Sequence, residues 1–81
     1  MYEDTKAYTA LPHPDINTTL DKEPVTVTNP YTEVTTVLTP TECAVFDYMM
    51  GCYKLGKMKE FYDCKDWFIV NNPEAYYEQI D

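Results

Sequence analysis

The 81-residue chain contains no arginine, two glycines, one histidine and no long apolar run. Each scarcity removes a class of function. Without arginine, and with six lysines against fourteen acidic residues for a formal charge of −8, it offers no positive stripe for phosphates and no bidentate donor for guanine, so nucleic-acid binding is disfavoured. Gly51 and Gly56 are the only glycines, which excludes a glycine-rich phosphate loop or a dinucleotide fingerprint. No stretch approaches the ~20 apolar residues of a membrane span, and Met1-Tyr2-Glu3-Asp4 lacks the basic and hydrophobic regions of a signal peptide. The expectation is a protein that neither enters a membrane nor is exported by that route.

Cysteine is sparse and odd in number. Cys43, Cys52 and Cys64 lie at spacings unlike the close ligand pairs of a zinc knuckle, and three thiols cannot complete a disulfide framework. They read as reduced, small core residues, with no metal and no cofactor expected. His13 stands between Pro12 and Pro14, away from any thiol it would activate. Glu60, Asp63 and Asp66 recur every three residues but alternate with Lys59 and Lys65, the pattern of a solvated helix face rather than a calcium loop. No catalytic set emerges, and an enzyme is not expected.

What is present divides the chain at Leu38. Residues 1–38 contain no glycine, four prolines (Pro12, Pro14, Pro24, Pro30) and many threonines, which rules out helix over most of their length and favours extended geometry. Val25-Thr26-Val27-Thr28 and Thr32 to Leu38 have strand character, with Asn29-Pro30-Tyr31 as a turn between them; they pair as a β-hairpin or stand as single strands. The arm's apolar residues are widely spaced: Tyr2, Tyr8, Leu11, Ile16, Leu20, Val25, Val27, Tyr31, Val34 and Val37. They are expected to form no internal core and either to act as anchors dropped one by one into a partner's pockets, as in strand addition, or to be incidental hydrophobes of a disordered tail.

Residues 39–81 read as a small helical domain. Thr39-Pro40-Thr41-Glu42 combines an N-cap, a proline at the first helical position and a capping box, with Leu38 and Cys43 placed as a hydrophobic staple. The first helix carries Val45, Tyr48, Met49 and Cys52 on one face and Phe46, Met50 and Tyr53 on a second strip. Gly51 costs about 1 kcal/mol inside a helix, which close approach of another backbone would offset. Gly56 then ends the helix, or one helix runs through it. A second helix from Lys57 to Val70 is expected to pack Met58, Phe61, Tyr62, Phe68 and Trp67 against the first. Asn72-Pro73 opens a short third helix in which Tyr76 and Ile80 close the hairpin's end. The fold class is therefore a mostly α C-terminal half, a helical hairpin plus a short third helix, behind an extended N-terminal arm.

Tyrosine and tryptophan favour interfaces, and Trp67 and Tyr77 join the arm residues as candidate partner contacts. Cys64-Lys65-Asp66-Trp67-Phe68 followed by Asn71-Asn72-Pro73-Glu74-Ala75-Tyr76-Tyr77 resembles the C-terminal end of small uncharacterised proteins of tailed phages infecting marine bacteria and cyanobacteria. That resemblance covers the second half at most and implies a virion setting: a capsid decoration, cement or other minor structural protein whose partners are major capsid or tail subunits, with self-association as a further expectation. The acidic surface also fits a regulator that occupies the basic groove of a host nucleic-acid enzyme and inhibits it.

Overall fold

The computed structural model describes residues 7–16 and 23–80. Helices dominate, and a two-stranded antiparallel sheet precedes them: β1 (Val25–Thr28), β2 (Thr35–Leu38), α1 (Pro40–Leu55), α2 (Met58–Asn71) and α3 (Pro73–Ala75), which runs into a π-helical turn over Tyr76–Ile80. The hairpin alternative holds. Its register pairs Val25 with Leu38 and Val27 with Thr36 on the face turned to the helices, and Thr26 with Val37 and Thr28 with Thr35 on the outer face. Period-two alternation thus sends valine inward and threonine outward along β1.

The connection is longer than the three-residue turn expected, and β2 is correspondingly shorter. Asn29 organises the loop: its Oδ1 accepts from the backbone N–H groups of Tyr31 and Thr32. Its own N–H donates to Val34 and its carbonyl accepts from Glu33, and Glu33 takes a left-handed backbone at φ 63°. An Asx turn of this kind satisfies polar groups that a tight turn would leave to solvent.

α1 begins as its sequence dictates. Thr39 Oγ1 accepts from the Glu42 N–H while Glu42 Oε1 accepts from the Thr39 N–H, completing the capping box. At the other end Gly56 adopts a left-handed conformation (φ 74°). Its N–H donates to the Tyr53 carbonyl and that of Lys57 to Cys52, the paired bonds of a Schellman ending. The helix therefore breaks at Gly56 and α2 folds back along it. Asn72 caps α3 by accepting from the Ala75 N–H at 3.1 Å.

One core joins the two halves. Ile16 and Leu38 are buried together with Cys43, Ala44, Val45, Met49, Cys64, Trp67, Phe68 and Ala75, and Tyr8, Val25 and Val27 pack against them. This corrects the expectation that the arm contributes nothing to a core. Tyr8, Ile16, Val25, Val27 and Leu38 turn toward the helical hairpin, which supplies the opposing surface. Two members of α2 are also reassigned: Met58 and Tyr62 are exposed, and Cys64, fully buried, takes the place between helices.

Gly51 departs from expectation too, because a Cβ built there would meet nothing within 4 Å. No close approach offsets its backbone entropy. Gly51→Ala is therefore expected to stabilise the protein by about 1 kcal/mol, read as a shift of the urea midpoint at unchanged m-value; a neutral or destabilising result contradicts the open geometry at this position.

Candidate functional site

The N-terminal segment 7–16 crosses the helices as a strap. Tyr8 stacks on Trp67 with ring centroids 5.3 Å apart, and its hydroxyl hydrogen-bonds the Thr39 cap hydroxyl. The Thr9 N–H donates to Asn71 Oδ1 at 2.9 Å, and Asn71 Nδ2 donates to Thr9 Oγ1 and to the Trp67 carbonyl, each at 2.8 Å. Trp67 Nε1 reaches the Thr9 carbonyl at 3.4 Å. Further along, His13 stacks on Tyr48 at 5.0 Å, its Nδ1 accepts from the Asp15 N–H, and Ile16 enters the core. His13 thus has a structural post.

The C-terminal turn holds the hairpin from the other side. Thr36 donates its hydroxyl proton to Glu78, Asn29 Nδ2 donates to the Glu78 carbonyl at 3.1 Å, and Gln79 Nε2 donates to Val34 O and Thr36 Oγ1. Between the loop so latched and the helical hairpin lies an open groove of about 430 Å³. The loop contributes Thr28 to Tyr31; α1 contributes Phe46, Met50 and Tyr53, four and three residues apart on one stripe; Phe61 and Ile80 complete the floor. Tyr53 and Phe61 lie 5.5 Å apart, centroid to centroid. Tyr31 stands at the tip with 93% of its surface exposed, and Tyr53 is 60% exposed. Among the described residues that line it there is no carboxylate, imidazole or thiol; what they offer is apolar area with tyrosine hydroxyls at the rim.

The sequence-derived partner residues separate into two groups. Tyr8, Ile16, Val25, Val27 and Trp67 are engaged in the protein's own core. Leu11, Tyr31, Val34, Val37 and Tyr77 are exposed, and Leu20 lies outside the described residues. The groove brings together only Tyr31 from that set. Phe46, Met50, Tyr53 and Phe61 were readable as apolar helix positions, yet periodicity does not distinguish a residue facing the core from one facing a groove.

Cys43, Cys52 and Cys64 are all buried. Burial pushes the Cys64 thiol up from 9.0 to about 12, with Cys52, Asp63 and Glu60 acting in the same direction. Tyr48 is raised from 10.0 to about 12, first by desolvation and then by its hydrogen bond with Cys52. Among the described residues no group of three or more histidine, cysteine or acidic side chains is placed to hold a metal ion, and no helix is long and apolar enough to cross a membrane. No protein-family model, curated protein or solved structure matches the chain.

The raised thiol carries a signed consequence. In the unfolded chain Cys64 ionises near 9.0, while the folded protein holds the proton to about 12. The stability it contributes is complete below pH 9 and drains as pH climbs towards 12. Urea unfolding followed against pH is expected to weaken from pH 9 upwards in the wild type; in Cys64→Ala the loss begins about one pH unit later, where Tyr48 starts to contribute. Superimposable pH profiles for the two proteins would contradict the burial argument.

Proposed function

We propose that this chain is a non-catalytic interaction protein, a capsid decoration or other minor structural component of a tailed-phage virion, which binds neighbouring capsid or tail subunits. The observation that carries the interaction reading is the aromatic groove with Tyr31 almost wholly exposed at its tip. A large aromatic left in solvent at a braced loop, beside an open apolar floor, is the composition of a binding hot spot. The virion setting is supported by the resemblance of residues 64–77 to small phage proteins.

The contact surface differs from the one expected for a free arm. Several arm anchors are engaged internally, so the binding face is assigned to the groove, while Leu11, Val34 and Val37 stay exposed outside its lining. The chain's −8 charge favours a partner surface rich in lysine and arginine and speeds encounter with it. The same charge supports the alternative of an acidic inhibitor of a host nucleic-acid enzyme.

Mass spectrometry of purified particles, with peptide counts scaled to the major shell protein, separates the two. Near-stoichiometric abundance is the expected result; abundance in infected-cell lysate together with absence from particles overturns the virion reading in favour of the inhibitor. On shells, Tyr31→Ala and Tyr53→Ala are each expected to weaken binding about tenfold or more while leaving the thermal midpoint within roughly two degrees of wild type. Unchanged binding in both variants removes the groove from the interface.

A further inference from the structure

Along α2, Met58, Tyr62, Lys65 and Ile69 are spaced four, three and four residues apart, the repeat of a coiled-coil seam. The stripe lies away from the helix's buried residues Cys64, Trp67 and Phe68. Met58, Tyr62 and Ile69 are 38%, 52% and 44% exposed, so the helix has two apolar sides, of which the fold uses one.

We propose that a second copy of this chain covers the stripe, α2 against α2, antiparallel about a two-fold axis passing between residues 63 and 64. The axis sets Met58 against Ile69 of the second copy and Tyr62 against Lys65 of the second copy, each contact occurring twice. Lys65 suits that place. Its ammonium lies 5.6 Å from the ring centroids of both Tyr62 and Tyr76 in its own chain, and a lysine at a seam position lays its methylene stem on apolar surface while its charge reaches water.

Charge selects the occupant and the direction. Lys59, with an 85% exposed side chain, and Asp66, also exposed, lie one heptad apart on the same flank of the stripe. In the antiparallel arrangement Lys59 comes beside Asp66 of the second copy, and the symmetric pair forms at the other end. A parallel arrangement leaves the two charges on opposite flanks, where they do not meet. The bond from Lys59 to Asp63 in the same helix (3.1 Å) leaves the ammonium two further donors. The seam, from residue 58 to 69, spans only ~16 Å at 1.5 Å per residue, which places this dimer in the weak class. It does not depend on the virion role and would persist if that role were wrong.

Sedimentation equilibrium on the full chain, up to roughly 1 mM, tests the proposal. The wild type is expected to reach a monomer–dimer equilibrium. K59E and D66K, both exposed substitutions, are each expected to raise the dissociation constant about tenfold by setting like charges across the seam. An equimolar mixture of the two variants, which restores opposite charges at both ends, is expected to recover association to within about threefold of wild type. A wild type that stays monomeric throughout, single variants that associate as wild type does, or a mixture that stays as weak as its components overturns the proposal.

Discussion

A buried carboxylate holds the architecture together. Glu42 is 1% exposed, and a carboxylate out of water persists only where donors surround it. One of those donors is local, the Thr39 N–H at the start of α1, and one comes from 30 positions along the chain, Asn72 Nδ2 between α2 and α3, at 3.0 and 3.1 Å. Asn72 in turn caps α3, and Thr39 also receives Tyr8 from the strap. Two junctions therefore meet at the Glu42 side chain, and the strap joins them at neighbouring Thr39. The consecutive burial of Glu42, Cys43, Ala44 and Val45 reflects this, since a helix loses water on every side only where other elements converge around it.

From that node the rest of the molecule is placed. The hairpin lies where β2 leads directly into the cap, the strap is drawn across α2 towards Thr39, and the C-terminal turn reaches back to the hairpin loop. The groove is the space left between the loop and the two long helices, framed by elements that are each fixed elsewhere. A braced frame of this kind presents Tyr31 and Tyr53 with little backbone freedom left to lose on binding, the condition under which exposed aromatics contribute most to affinity.

Local chemistry was legible in the residues and long-range docking was not. Thr39-Pro40-Thr41-Glu42 and Asn72-Pro73 carry their helix starts within four residues, and Gly56 supplies the left-handed ending that few other residues tolerate. The alternation in Val25 to Thr28 gives the strand its inward face. By contrast, the strap depends on Thr9 meeting Asn71 and Trp67, 62 and 58 residues away, and no pattern near either partner announces the other. The same limit hid the role of Glu42: its place in a capping box was readable, its burial under Asn72 was not. The groove residues Phe46, Met50 and Tyr53 carry ordinary helical spacing, and only the position of the loop across from them decides that they face an opening.

The latch at Glu78 and Gln79 bears on how the chain folds during synthesis. Strands β1 and β2 leave the ribosome long before the residues that fasten their loop, and those bonds span 42 to 49 positions of sequence. A two-stranded sheet alone is marginal in water, and closure of so long a segment is slow compared with forming a helical hairpin. The helices can therefore assemble as they emerge, whereas the loop carrying Tyr31 settles only after translation has passed residue 79. The tip that carries Tyr31 is thus among the last parts of the molecule to mature.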